Sequence, residues 1–292
     1  MWCEWCGAEL GPAAERRKRR THCGRCGAWT TDPKPGAEEL DRAYGDWYRP
    51  AGGRFFGVGD AVLRRTRGRL ASRLDRIAAR GRVLDVGSGD GALLQALRAH
   101  GREAAGVERD PSQSELSGLE GAEAGGSWAA IVFWHSLEHL PDAGAALERA
   151  SRLLAPGGVL VIAIPNPASL QARAFGDRWL ALDIPRHLVH VPAATLLARL
   201  DQLGLAVQRV SYLRGGQVAF GWLHGLVGML PGHPDLYDAI RRPQARREPI
   251  SFLARAAALA AGVLLLPVAL ACAGVEAALR RGGSLYVEAR RV

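Results

Sequence analysis

Residues 83–91 read Val83-Leu84-Asp85-Val86-Gly87-Ser88-Gly89-Asp90-Gly91. The apolar run with one acid predicts a short buried strand, and the alternating glycines predict a tight turn out of it. Glycine leaves its backbone bare, so a ligand can approach such a turn closely. Residues 92–100 predict the helix that follows, stopped by Gly101. Residues 104–107 predict a second strand, ending in Glu108, and Asp110-Pro111 predicts an N-cap followed by proline at the first helical position. Residues 129–134 predict a third strand. Asp142 is expected to cap a helix reaching residue 154, and Ala155-Pro156-Gly157-Gly158 to turn into a strand over 159–164. After a helix ended by Gly204, residues 205–211 read as a further strand, and residues 284–289 as the last. Strands alternating with helices place the chain in the α/β class, with a parallel sheet, right-handed crossovers and helices on both faces.

In such sheets the ligand lies at the carboxyl ends of the strands, where the glycine turn sits. Glu108, closing the next strand, is placed to accept hydrogen bonds from two ribose hydroxyls, so a nucleoside-containing cofactor is expected. Gly87-x-Gly89-x-x-Ala92 also satisfies a dinucleotide pattern, which makes the glycines alone weak evidence. Asp85 decides between the two. A carboxylate two residues before the first glycine is unfavourable beside a pyrophosphate and favourable beside an ammonium group, as on the methionine part of S-adenosylmethionine.

The chain has 292 residues, 48% of them hydrophobic. That suffices for one large domain, or a domain plus a small module. With 38 basic and 29 acidic residues the net charge is +9, almost all of it arginine; Lys18 and Lys34 are the lysines. The balance permits an anionic partner without choosing among nucleic acid, acidic lipid and substrate phosphate. No basic start followed by an apolar run marks a signal peptide. The five cysteines are therefore read in a reducing, cytoplasmic compartment, where metal sites or free thiols outrank disulfides.

Four of those cysteines form two pairs, Cys3-x-x-Cys6 and Cys23-x-x-Cys26, with sixteen residues between them. The spacing is that of a zinc ribbon: each pair aims two thiolates at one point, and two pairs complete a tetrahedral site. Gly7 and Gly27 suit the turns, and so short a segment depends on the metal to fold. Cys272 lies in an apolar run and reads as a small buried hydrophobe. Between the pairs, Glu15 is followed by the basic run Arg16 to Arg20. It is either a solvated loop or a contact for phosphates, and Trp2, Trp5 and Trp29 either stack on bases or form the ribbon's own core. Pro33 and Pro35 mark a linker, after which Asp60 is expected to cap a helix carrying Val62, Leu63, Leu70, Leu74 and Ile77, ended by Gly81.

VLDVGSGDG, GVERD, IVFWHSLEHLPD and LLAPGGVLVIAIPNP, in that order, resemble the motif set of class I S-adenosylmethionine-dependent methyltransferases. They are most similar to the small-molecule subgroup that includes the ubiquinone-biosynthesis O-methyltransferases. The likeness spans about residues 40–212 and returns at 284–289. It implies a Rossmann-like methyltransferase sheet, with Asp85, Gly87 and Gly89 at the methionine end and Glu108 on the ribose. Ser88, Gly91, Arg109 and Trp134 complete the implied cofactor set. One departure stands out. Only twenty residues, 109–128, separate Glu108 from the next strand, where the family fits a helix, a strand and a further helix. The third strand is expected to be very short or missing. The usual acid facing the adenine amino group is not identifiable, with Glu120 or Glu123 as candidate replacements.

Methyl transfer is an in-line displacement at a sulfonium, so the enzyme chiefly aligns nucleophile and methyl. An oxygen acceptor also needs a base or a metal to lose its proton. The loop after the 129–134 strand carries His135, Glu138 and His139, which spell the H-x-x-E-H pattern of some zinc peptidases. That pattern requires an uninterrupted helix. Here it starts at a strand end, and Pro141 follows two residues past His139. In the resembling subgroup a Glu-His pair sits in this loop, and divalent metal dependence occurs in part of it. The resemblance thus offers His139 as base, or Glu138 and His139 as ligands of a divalent metal; ordering of the loop without chemistry is the alternative. Asp183 to Pro192 resembles a subgroup segment that folds over the site, with His187 and His190 as candidate bases or substrate contacts. Asn166 is a candidate substrate contact, and Tyr44, Trp47 and Tyr48 a candidate aromatic lid.

About seventy residues separate the last two strands. Within them residues 256–275 carry no charge, a length that could span a bilayer. The strand beyond must rejoin the sheet, which argues for an apolar helical insertion, broken or kinked near Gly262 and Pro267. It is read either as a lid over the substrate or as a helix dipping into the membrane interface. Arg241, Arg242, Arg246, Arg247, Arg280 and Arg281 flank it and suit anionic headgroups or a solvated surface. The expected organisation is a zinc ribbon over 1–30, a linker and lid over 31–58, a methyltransferase domain over 59–212 and 284–292, and the insertion over 213–283. The expected activity is methylation, at oxygen, of a small or lipid-linked metabolite by a cytoplasmic enzyme, either free or peripheral to the inner face of the membrane. A zinc-ribbon RNA methyltransferase and a non-catalytic membrane or scaffold module are the alternatives, nucleic acid being the weaker partner.

Overall fold

A computed structural model of the chain describes residues 1–48, 50, 52–56, 58–109, 115–116, 118–123, 126–213 and 216–292. The expected cap at Asp110-Pro111 lies outside the described residues. The chain begins with three short strands, β1 (Arg16–Arg17), β2 (Arg20–His22) and β3 (Trp29–Thr31), then helices α1 (Ala37–Ala43) and α2 (Val58–Ile77). The alternating region follows: β4 (Val83–Val86), α3 (Ala92–Ala99), β5 (Ala104–Val107), α4 (Gly118–Glu123), β6 (Trp128–Trp134), α5 (Ala143–Leu153) and β7 (Leu154–Pro165). Then come α6 (Leu170–Phe175), β8 (Val189–His190), α7 (Ala193–Gln202) and β9 (Leu205–Ser211). The insertion is α8 (Gly216–Gly228), α9 (Leu236–Ile240) and α10 (Phe252–Ala278), and β10 (Ser284–Arg291) ends the chain.

The main sheet has the order β5-β4-β6-β7-β10-β9. β4, β5, β6 and β7 run parallel, and β10 slots antiparallel between β7 and β9. The central strands are apolar on both faces because helices cover both. One core layer carries Leu84, Ile131, Phe133, Leu160 and Ile162, the other Val83, Val132, Val161, Leu70 and Leu74. Between Glu108 and Trp128 the described residues contain α4 and no strand, as the short spacing predicts, so β5 is the edge. Glu120 and Glu123 pair with Arg149 of α5, which accounts for their position without an adenine.

Several local expectations change. Asp142 precedes α5 in a left-handed conformation (φ 53°), and its side chain makes no cap bond. Its backbone N–H donates to Glu4 Oε2 at 2.9 Å, so a residue from the ribbon serves this helix start. Asp60 lies inside the first turn of α2 rather than capping it, and its carboxylate accepts from the Arg54 and Phe55 amides at 3.3 Å. Val62 and Leu63 are exposed, whereas Leu70 and Leu74 are buried in the core and Ile77 packs against it. Helix α10 runs unbroken through Pro267. Gly262 is a packing site rather than a break, because Leu236 would lie 3.1 Å from a Cβ there.

The N-terminal lobe shares a sheet with a distant segment. Strand order β1-β2-β3-β8 pairs Trp29 with His190 and Thr30 with Val189. Thr31 Oγ1 donates to the His187 carbonyl at 2.6 Å, and Thr195 Oγ1 to the Cys26 carbonyl at 2.7 Å. Cys3, Trp5, Leu10, Cys23 and Ala28 belong to the same core as β6 and β7. The tightest seam is at Gly144, whose amide donates to the Glu4 carbonyl at 3.3 Å and where any Cβ would overlap the Trp5 carbonyl. Gly144→Ala is expected to destabilise the protein by about 1–3 kcal/mol through this overlap. Thermal denaturation checks it: an unchanged melting temperature would show that the seam yields freely.

Candidate active site

The turn leaving β4 is shaped by two constraints. Gly87 has φ +84°, and a Cβ there would overlap Ser136, whose hydroxyl donates to the Val86 carbonyl. Gly87 and Ser88 both donate to the Val107 carbonyl, at 2.7 and 3.2 Å. Gly89 and Gly91 are also left-handed, at φ +63° and +70°. Asp85 is buried on β4, paired in register with Gly106 on one side and Val132 on the other. Gly106 was not singled out from the sequence. A Cβ there would lie 2.6 Å from Ser88 Oγ and 2.9 Å from Leu94, so only glycine lets the turn settle over β5. The signal that could have found it is a lone glycine inside a short strand.

Glu108 reaches back to the turn: Gly89 N–H donates to its Oε2 at 2.6 Å and Arg109 N–H to its Oε1 at 3.1 Å. The Arg109 guanidinium bonds Asp41 of α1 at 2.7 Å and lies 4.4 Å over the Tyr44 ring. Its side chain thus ties the segment after α1 to the cofactor end of β5. Trp134, closing β6, is covered by the Arg67 guanidinium at 4.9 Å and meets Tyr286 edge-on.

One loop away lies a cluster of acid and imidazoles. His135 is left-handed (φ 55°), its amide bonded to the Ala163 carbonyl at 2.8 Å, and residues Leu137–His139 form a single 3-10 turn. That short turn excludes the peptidase helix. Glu138 is 3% exposed, with Oε1 3.4 Å from His135 Nδ1 and 3.8 Å from His187 Nε2. Neither carboxylate oxygen has a hydrogen bond among the described residues, and burial pushes its carboxyl up from the usual range. His139 Nδ1 lies 3.0 Å from the Arg186 carbonyl and 2.9 Å from Tyr44 Oη; His187 Nδ1 lies 3.0 Å from the Ala181 carbonyl. A carbonyl only accepts, so the proton of each ring sits on Nδ1 and each Nε2 presents a lone pair. Burial holds His139 down at about 4 and lowers His187 as well, keeping both rings neutral.

Ligand atoms of Glu138, His139 and His187 all lie within 4.8 Å of one another. An unbonded buried carboxylate beside two Nε2 lone pairs, each ring anchored through Nδ1 to a backbone carbonyl, is the donor set a divalent cation requires. The residues present therefore fit such an ion. Burial opposes the Asp183 charge, but the Arg186 guanidinium, which bonds it at 2.7 Å and lies 4.2 Å over Tyr48, holds its carboxyl below the usual range.

The other expected residues take different places. His190 sits on β8, buried, its Nε2 3.4 Å from Thr31 Oγ1, and burial lowers it to about 3. It braces the ribbon seam, apart from the Glu138 cluster. Asn166 is buried with Nδ2 on the Gly282 carbonyl at 3.0 Å, anchoring the entry to β10. In the ribbon, Cys3 meets Cys26 at 3.7 Å and Cys6 meets Cys23 at 3.6 Å, with all four sulfurs within 4.8 Å. The Cys26 hydrogen bond pulls the Cys3 thiol down to about 5. The basic run is paired internally: Arg16 with Asp32, Arg17 with Glu15, Arg19 with Glu39 and Arg20 with Asp177. Trp5 is buried in the core, Arg17 and Arg20 lie over Trp29, and Trp2 is exposed. Gly87→Ala violates both constraints on the turn, and roughly 1–3 kcal/mol of strain predicts a loss of S-adenosylmethionine affinity of about 5- to 150-fold, measured by calorimetry on the folded variant.

A family model described as a methyltransferase domain matches residues 62–210. The chain is 30% identical over 168 residues to "Ubiquinone biosynthesis O-methyltransferase" of Xanthomonas oryzae pv. oryzae (strain PXO99A), covering 48% of this chain and 70% of that protein. The protein of the same name from Xanthomonas campestris pv. campestris (strain B100) is 30% identical over the same lengths. A solved S-adenosylmethionine-dependent methyltransferase from Archaeoglobus fulgidus is 18% identical, with a TM-score of 0.44 over 77% of this chain and 94% of that one. The glycine turn after the first sheet strand, the acid closing the second and the family match across them agree: this chain belongs to the class I S-adenosylmethionine-dependent methyltransferases.

Proposed function

We propose that this enzyme methylates a hydroxyl oxygen of a small or lipid-linked metabolite in the cytoplasm, with the acceptor bound at Glu138, His139 and His187. The observation that carries this reading is the buried, unbonded Glu138 carboxylate ringed by imidazoles one loop from the glycine turn. Asp85 would hold the methionine ammonium and Glu108 the ribose. The acceptor oxygen attacks the methyl carbon in line with the breaking carbon–sulfur bond, whose electron pair stays on sulfur to leave S-adenosylhomocysteine. His139 Nε2 is oriented to take the hydroxyl proton, because its Nδ1 proton is fixed on the Arg186 carbonyl. Alternatively, a divalent cation held by Glu138, His139 and His187 would lower the pKa of a bound hydroxyl, with His139 then a ligand rather than the base. Tyr44, whose hydroxyl lies on His139, would close over the acceptor and exclude water.

A labelled-methyl assay across cell-extract fractions, lipids included, identifies the acceptor. With it in hand, Glu138→Gln and His139→Ala are each expected to lower kcat by about 10²–10⁴ while S-adenosylmethionine affinity is kept. Full turnover by both variants would remove the acceptor site from this cluster. Recovery of chelator-treated enzyme by magnesium or manganese favours the metal role; indifference to chelation leaves His139 as base.

The four-cysteine lobe would hold one structural zinc, since four sulfurs converge with no disulfide between them. Elemental analysis is expected to find one zinc per chain. Cys23→Ser should lose it, lower the melting temperature and cut activity, because β3 holds the strand next to His187. Wild-type activity in a zinc-free Cys23→Ser enzyme would contradict this.

A further inference from the structure

Helix α10 is packed inside out. Its buried positions are Ala258, Gly262, Ala269, Ala273 and Glu276, four small residues and one acid. Its large apolar side chains face outward: Phe252 is 81% exposed, Leu253 78%, Val263 74% and Leu264 77%. Val268, Leu270 and Val275 continue the same exposed surface. A helix shielding a water-soluble core has the opposite arrangement. The uncharged run and this exposed face lie outside residues 62–210, the part matched by the family model.

The helix is long and apolar enough to cross a bilayer, with a mean hydropathy of 2.4. Its anchors forbid crossing. At the N-terminal end Arg255 Nε donates to the Ala239 carbonyl at 3.0 Å. At the C-terminal end the buried Glu276 accepts from Gln171 N–H, Gln171 Nε2 and Trp222 Nε1 at 2.8–2.9 Å. One face is thus held to protein from Ala258 to Glu276, about 27 Å at 1.5 Å per residue, and both ends return to the same domain. Only the outer face is available, so the helix can lie in a surface but not pass through it.

Charge identifies the surface. Arg242, Arg246, Arg247 and Arg255 cluster at the N-terminal end beside the half-exposed Phe56, and Arg280 and Arg281 follow the C-terminal end. Arg241 is the exception to the expected basic flank: it is 1% exposed and donates to the Trp47 carbonyl at 3.0 Å. An apolar band with cations at both rims matches an anionic bilayer, whereas a second copy would bring arginine rims against each other.

We propose that the outer face of α10 seats this protein in one leaflet of an anionic membrane, with the helix in the membrane plane. The seat adjoins the site. Arg241 and Arg247 lie 5.3 and 5.6 Å over Trp47 of the lid, and Arg247 lies 3.6 Å from Asp183. On the methyltransferase reading above, the acceptor class is therefore an amphiphile whose tail stays in the lipid while its hydroxyl-bearing head passes the lid.

The test is flotation of the full chain with vesicles of phosphatidylcholine plus phosphatidylglycerol, and of phosphatidylcholine alone. The wild type is expected to float with the mixed vesicles and less with the neutral ones. The double variant Val263→Glu, Leu264→Glu should stay at the bottom while binding S-adenosylhomocysteine like the wild type, which shows that it is folded. A wild type that does not float overturns the seat, whatever its activity. So does a dimer in sedimentation that the same substitutions dissolve, since a second copy would then cover the face. Flotation with no labelled methyl entering any lipid fraction keeps the seat and overturns the amphiphile.

Discussion

The Ser136 hydroxyl donates to the Val86 carbonyl, and that bond can form only because residue 87 has no side chain. This contact sets the distance between the glycine turn and the loop after β6. On one side the glycine turn, fixed to β5 through the Val107 carbonyl and to Glu108, forms the cofactor cradle. On the other, the loop after β6 turns sharply at His135 and places His139 against Tyr44. The strands behind both are apolar on each face, so neither half can shift without opening the core.

The third member of the Glu138 cluster is held from far away in sequence. His187 reaches Glu138 because β8 completes the small sheet begun by β2 and β3, and because Thr31 bonds the His187 carbonyl. The ribbon therefore acts as a brace: its cysteine turns, Glu4 and Trp5 dock on α5, and its last strand sets the segment that carries His187. The internal pairing of Arg16, Arg17, Arg19 and Arg20 agrees with a bracing role and leaves little of that basic run for a nucleic acid.

The insertion is attached by few, strong contacts. Glu276 sits at the end of a long uncharged run, fully buried, with three donors converging on it. An isolated buried carboxylate would be costly; the convergence offsets its desolvation and fixes the helix against α6 and α8. Gly221 and Gly225 give the close approach, since side chains there would collide with Gln171 and Phe175. The result is a helix whose inward face is made of small residues and whose outward face is greasy.

Local chemistry settled much of this in advance. Apolar runs separated by glycine turns specified the strands, helices and their parallel order, since burial on both faces and left-handed turns are properties of a few adjacent residues. The cysteine spacing specified a four-sulfur cluster, and the short gap between β5 and β6 agrees with the absence of a strand there among the described residues. Tertiary packing decided the rest. Which imidazoles meet Glu138 depended on β8 joining the ribbon, so His187 entered the cluster and His190 did not. Glu4 rather than the Asp142 side chain serves the start of α5, and Arg241 is buried against Trp47, because partners distant in sequence occupy those positions. The outward direction of α10's large side chains was invisible as well: a run apolar on every side has no preferred face until its neighbours cover one.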